Sequence, residues 1–261
     1  MKRILFSFVA AVICLFTVNA GEMVLKGTFQ GDNLYVKNPF AATGVGFCIY
    51  EVTVNGLTTT DEINSSAFEI DLGVYDFTVG TPLTVTIRYK DDCAPKVLNP
   101  EVLNPRATFS IDKLSVENDK ILWSAQKESG QLPFIVEQFR WNKWVKVGEI
   151  QGIGTSGPNN YTAPVRLHSG ENKFRIKQVD YRNKPRYSEE VKSISVKPEV
   201  TFSPARVDDV INFSAPTMYE IYDEYGGIVF KGYGDNVKVG GLEKGKYYIN
   251  YDTKMDRFIK K

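Results

Sequence analysis

From Thr217 to Lys261 the chain alternates apolar and polar residues in short runs, and each run is closed by a glycine step. The runs are Thr217–Tyr222, Val237–Val239, Tyr247-Tyr248 and Phe258–Lys261, and the breaks are Gly226-Gly227, Gly240-Gly241 and Lys244-Gly245. Side chains leave a strand on opposite faces with a period of two, so a run of this kind presents one apolar face only as a β-strand. Glycine-bearing turns between such runs point to antiparallel pairing. No window of a dozen residues carries a convincing helical period. Aromatics at 13%, together with abundant Val, Thr, Ile and Tyr, favour strands throughout. The expectation is an all-β protein.

Residues 1–20 do not belong to that pattern. Lys2 and Arg3 precede an apolar run from Ile4 to Thr17, and Val18-Asn19-Ala20 supplies small residues before Gly21. This is the layout of a secretory signal peptide, too short and wrongly flanked for a stable membrane span. Cys14 follows Ile13 rather than a small residue, which argues against a lipid anchor. Without Lys2 and Arg3, the 32 Lys+Arg fall to 30 against 31 Asp+Glu. A net charge of −1 gives no electrostatic reason to expect nucleic acid or an anionic membrane as partner. The remaining length suits two or three compact domains.

Cys48 and Cys93 remain after processing, and in an oxidising compartment a pair favours a disulfide; two buried free thiols are the alternative. The closed loop of about 45 residues would contribute about 3–4 kcal/mol in the chain-entropy model. Residues 21–105 form a first unit with strands at Leu34–Val36, Phe47–Val54, Ser66–Leu72 and Leu83–Tyr89, and a hairpin turn at Asn55-Gly56. Its end repeats Val-Leu-Asn-Pro at 97–100 and 102–105. A residue before proline is held extended, so the segment reads as a stiff connector, or else as a binding segment presented in extended form. Residues 106–198 form a second unit with strands at Ile121–Ser124, Pro133–Gln138, Val145–Ile150 and Asn172–Asp180, and residues 199–261 a third.

A search for chemistry finds little. His168 is the single histidine and lies in a polar turn, Leu167-His168-Ser169-Gly170, where solvent exposure is expected. A Ser–His–Asp device or a histidine-based zinc site needs more than one such residue in isolation. The acidic pairs Asp61-Glu62, Asp91-Asp92, Glu189-Glu190 and Asp208-Asp209 are adjacent in loops and read as solvated turns, with Asp91-Asp92 a weak calcium candidate. Gly152–Gly157 lacks the helix and lysine of a phosphate-binding loop. The reading has no catalytic residue, no cofactor and no metal, and it does not expect an enzyme. One surface feature invites a partner: Phe139, Arg140, Trp141 and Trp144 cluster about Asn142-Lys143. Trp141 is expected to stand free as a protein hot spot, Trp144 to fold onto the sandwich. A carbohydrate stacking platform on the two indoles is a further alternative.

Two resemblances bear on these units. The second is similar to fibronectin III-like modules, in which Trp123 would be the core tryptophan, with Arg175 and Lys177 outward and Phe174, Ile176 and Val179 inward. In such modules the hairpin turn at Trp141 is usually small and polar. The third resembles the C-terminal sorting domain of the Bacteroidetes type IX secretion system, on Tyr222, Asp223, Gly226, Gly245, Tyr247, Phe258, Lys260 and Lys261. Two departures accompany the match: Phe202–Ala205 replaces a Pro-Asn-Pro opening, and Gly226-Gly227 replaces Gly-Arg or Gly-Lys. The resemblance implies two or three consecutive immunoglobulin/fibronectin III-like β-sandwich domains after a signal peptide. It also implies an exported protein with a protein partner, a large outer-membrane translocon β-barrel and its associated subunits. As a periplasmic accessory the chain would dock on that barrel and occlude its channel. As cargo it would be a secreted, adhesin-like surface protein carrying a sorting signal.

Overall fold

The computed structural model describes residues 20–42, 44–91 and 93–261. The signal-peptide reading of residues 1–19 and the Asp92 half of the calcium candidate lie outside the described residues. The fold is all-β, built of mainly antiparallel sheets packed into sandwiches. It divides into two compact units, one of residues up to 78 together with 82–103, the other of 79–81 with 104–261.

In the first unit the strands are β1 (Ala20–Thr28), β2 (Leu34–Lys37), β3 (Ile49–Val54), β4 (Leu57–Thr58), β5 (Ala67–Ile70), β6 (Pro82–Lys90) and β7 (Lys96–Val97). One sheet runs β1-β6-β3-β4 and the other β5-β2-β7. The alternation Val52, Val54, Val85, Ile87 from the first sheet meets Leu34, Val36 and Ile70 from the second in one apolar core. Asn55 and Gly56 both have positive φ, 49° and 83°, in the β3–β4 turn, where the mirror-image two-residue turn matches strand twist. Cys48 and Cys93 are bonded to each other.

The end of this unit corrects the sequence reading of residues 97–105 as an extended connector. Pro100–Leu103 forms a 3-10 turn, and Val102 and Leu103 are buried in the core. Proline is well suited to a first helical position because its missing N–H would be unpaired there anyway. Asn99 ties the turn to β2: its side-chain oxygen accepts from Tyr35 N–H at 2.8 Å and its amide donates to Asn33 O at 2.9 Å.

The second unit begins with β8 (Ser110–Glu117), β9 (Lys120–Gln126), β10 (Pro133–Arg140), β11 (Lys143–Gln151), β12 (Asn159–Pro164), β13 (Gly170–Val179), β14 (Pro185–Tyr187) and β15 (Val191–Ser195). The sheet β12-β9-β8 faces the sheet β11-β10-β13-β14, with β15 also on β13. Trp123 is buried between them, stacked on Tyr161 at 5.2 Å and edge-on to Phe134 at 5.8 Å. Phe174 and Ile176 point inward, but the next inward residue is Gln178, not Val179 as expected. Parity decides it: 174, 176 and 178 share a face. The buried Gln178 amide is satisfied by Leu132 O at 3.2 Å.

The rest of the second unit comprises β16 (Phe202–Ser203), β17 (Arg206–Val207), β18 (Val210–Tyr222), β19 (Ile228–Lys238), β20 (Gly245–Tyr251) and β21 (Lys254–Lys260). Their sheet runs β16-β18-β20-β21-β17, with β19 on the other side of β18 and β17 parallel to β21. This subdomain has its own core around Ile211, Ile221, Ile249 and Phe258.

Candidate functional site

The β10–β11 hairpin pairs Arg140 with Lys143, leaving Trp141 and Asn142 as a two-residue turn with φ of 50° and 59°. Asn-Gly suits that geometry; a tryptophan held in left-handed backbone costs on the order of 1–2 kcal/mol. The offset comes from the indole. Trp141 is only 8% exposed, and its Nε1 donates to the backbone oxygen of Asp252 at 3.1 Å. The expectation of a free-standing Trp141 hot spot is therefore corrected: its partner surface is this chain's own C-terminal subdomain. Arg140, buried in the same place, is corrected with it.

Asp252 is the centre of that junction and sits in the turn between β20 and β21, itself at φ 45°. Its carboxylate accepts from Ser169 N–H at 3.0 Å, Ser169 O–H at 2.5 Å and Val200 N–H at 3.2 Å. Its N–H donates to Thr217 Oγ1 at 3.0 Å. Arg140 spans the same joint, donating to Gln138 Oε1 at 2.7 Å, Arg166 O at 2.9 Å and Asp252 O at 3.4 Å. Lys143 Nζ donates to Glu220 at 2.6 Å and Tyr222 at 2.7 Å, and the Arg166 guanidinium lies 4.3 Å from the Tyr233 ring. Two hairpin turns, Trp141-Asn142 and Asp252-Thr253, are thus bound to each other through buried polar groups, each supplied with a partner.

Burial sets the electrostatics here. It pulls the Arg140 guanidinium down to about 10, against the pull of Asp252 in the other direction. His168 is buried rather than solvent-exposed, which corrects the sequence expectation, and burial together with the Arg140 charge holds its imidazole below 6.5. Desolvation pushes Asp252 upward, but its hydrogen bonds from Ser169 and Val200 outweigh that and hold it below 3.8. For Lys143, burial is outweighed by Glu220 and Tyr222, so its ammonium is held above the usual value.

Phe139 and Trp144 lie apart from this joint, on the outer face of the β11-β10-β13 sheet. They meet edge-on at 5.4 Å. Arg175 lies 4.2 Å from the Trp144 ring and 4.0 Å from Tyr187, while donating to Glu137 at 2.7 Å. The sequence cluster is thus split between two surfaces. Of the sorting-like residues, Tyr247 and Phe258 are a stacked cross-strand pair in the core at 5.4 Å, and Gly245 pairs with Lys260. Gly226, at φ 85°, closes the turn that Asp223 begins, and Tyr222 joins the Lys143 network. Lys260 is buried beside β17, and Lys261 N–H donates to Val207 O at 3.0 Å.

Sequence reasoning missed Asp252, Ser169 and Lys143. The available signal was Trp141 itself, a bulky residue where a two-residue hairpin wants Asn or Gly. It also missed Glu128, a buried carboxylate that accepts from Gly154 N–H at 2.9 Å, Asn159 at 2.8 Å and Tyr161 O–H at 2.6 Å and so pins the Gly152–Gly157 loop. Burial and this bond hold the Tyr161 hydroxyl above its usual range. Among the described residues no group of three or more His, Cys, Asp or Glu is placed to hold a metal ion, and no helix is long and apolar enough to cross a membrane.

No family model and no curated protein matches the sequence. Among solved structures, a tetra-tandem repeat from the extending region of a large adhesion protein is similar over 92% of this chain and 73% of that one, at 10% identity and a TM-score of 0.34. The chicken CNTN1 FN1–FN3 domains match over 94% and 96%, at 10% identity and a TM-score of 0.25. A β-glucuronidase from Ruminococcus gnavus matches over 75% of this chain and 38% of its own, at 14% identity and a TM-score of 0.21. Likenesses this remote assign no function.

Proposed function

We propose that the chain is a non-enzymatic exported protein of the type IX secretion pathway, a periplasmic accessory that docks on the outer-membrane translocon β-barrel and plugs its channel. The alternative within the same pathway is secreted cargo whose sorting domain is cut away. The observation that supports the resident role is the Asp252 joint. A signal that is read and removed has to be separable from its passenger, whereas this sorting-like subdomain shares a buried hydrogen-bonded joint with the module before it. Severing such a joint leaves buried donors and acceptors without partners, at about 1–3 kcal/mol each. A steric plug also calls for rigidity, which the Cys48–Cys93 bond gives the first unit.

The test is affinity recovery of an internally tagged chain from native membranes, with intact-mass measurement. A chain ending at Lys261 and bound to a large outer-membrane protein is expected. A chain trimmed near residue 200 and found at the cell surface would make it cargo.

A further inference from the structure

Thirteen consecutive residues of the first unit, Asn38 to Tyr50, carry no charge. Within them Phe40 and Phe47 pair as an isolated antiparallel bridge and stack at 4.3 Å. Ala41 N–H donates to Gly46 O, Gly44 N–H to Ala41 O, and Cys48 N–H to Pro39 O. This is a small hairpin that bonds its own backbone, and Cys93 clamps its base through Cys48. Phe40 is 65% exposed and Val45 is 76% exposed, while Ala41 between them is buried. A preformed apolar tip lowers the ordering cost of binding.

The charges at the base suggest what covers the tip. Lys37 and Lys96 stand directly opposite each other across β2 and β7, both exposed, although like charges in that position repel. Lys90 reaches the tip itself, its Nζ donating to Val45 O at 2.9 Å, and Asp91 and Asp92 follow it in sequence. Lysines ringing an exposed aromatic and aliphatic tip are the pattern of a segment lying at a lipid interface. We propose that the Phe40–Phe47 hairpin is a membrane-contacting tip that seats Phe40 and Val45 among lipid chains and Lys37, Lys90 and Lys96 among anionic headgroups.

Pure lipid contains no translocon, so this inference and the proposed function stand or fall separately. The experiment is co-sedimentation of the purified full chain with mixed phosphatidylglycerol–phosphatidylethanolamine vesicles, and with neutral phosphatidylcholine vesicles. Binding is expected to both, tighter to the anionic vesicles and weakened by salt only there. The Phe40→Asp, Val45→Asp double variant should lose at least about tenfold in affinity, since both apolar side chains leave the lipid. Its exposed positions should leave the circular dichroism spectrum and the disulfide mass unchanged. The Lys37→Glu, Lys96→Glu variant should lose only the anionic preference. Absence of vesicle binding by the parent chain, or binding indifferent to the Phe40 and Val45 changes, would overturn the proposal.

Discussion

At the scale of single residues the chain repeatedly places an unfavourable choice where a distant partner compensates. Trp141 is the clearest instance, a bulky side chain in left-handed backbone whose indole is buried against Asp252. Trp141→Ala should therefore destabilise the second unit by about 3 kcal/mol, the usual range for truncating a buried aromatic. Urea denaturation followed by the fluorescence of Trp123 and Trp144, which the variant retains, reads this. Loss of less than about 0.5 kcal/mol would mean that the indole is dispensable to the joint. Asp252→Asn should be nearly as costly, because an amide nitrogen then faces the Ser169 and Val200 donors in place of a carboxylate oxygen. Trp144→Ala should cost less, since that ring lies half-buried on the sheet surface.

Between elements, the junction of the β10–β11 turn, the His168-Ser169 turn and the β20–β21 turn makes stability depend on acid. His168 has its folded value below 6.5, so the folded chain binds fewer protons there than the unfolded one. Stability is full above about pH 6.5 and declines as pH falls through the interval down to the folded value. Asp252 also has a depressed folded value, so its contribution holds above its ordinary 3.8 and is lost as pH falls below that. Melting temperature of the second unit should thus fall in two stages on acidification. His168→Gln should flatten the upper stage and leave the lower; an unchanged slope between pH 6.5 and 5 would remove His168 from the effect. The same elements show what local sequence can and cannot convey. Period-two alternation located β2, β3, β5, β6, β9, β10, β11, β13, β18, β20 and β21 and the Asn55-Gly56 turn, because those depend on neighbouring residues. It missed β1, β8 and β12, where one face is only partly covered or the alternation is diluted by polar residues. His168 looked like a surface turn because its burial comes from a subdomain that begins about 30 residues later. Residues 97–105 read as an extended connector because nothing local indicated that Val102 and Leu103 would be drawn into the core.

On the scale of the whole molecule, three hydrophobic cores are distributed over two compact units. Cooperativity follows shared buried contacts rather than the number of cores, and the second and third cores are joined by the hydrogen bonds converging on Asp252. Scanning calorimetry of the parent chain should therefore resolve two transitions, not three. The first unit's transition is identified by reduction: opening the 45-residue Cys48–Cys93 loop should lower its stability by about 3–4 kcal/mol. The other transition contains both the β8–β15 module and the β16–β21 subdomain. The Trp141→Ala, Asp252→Ala double variant should divide it, because each core survives while the joint does not. Limited proteolysis of that variant should then cut faster than in the parent near residues 196–201, between Ser195 of β15 and Phe202 of β16. Three transitions in the parent chain, or an undivided transition in the double variant, would show that the joint does not couple the two cores and would remove the argument that the sorting-like subdomain is held in place.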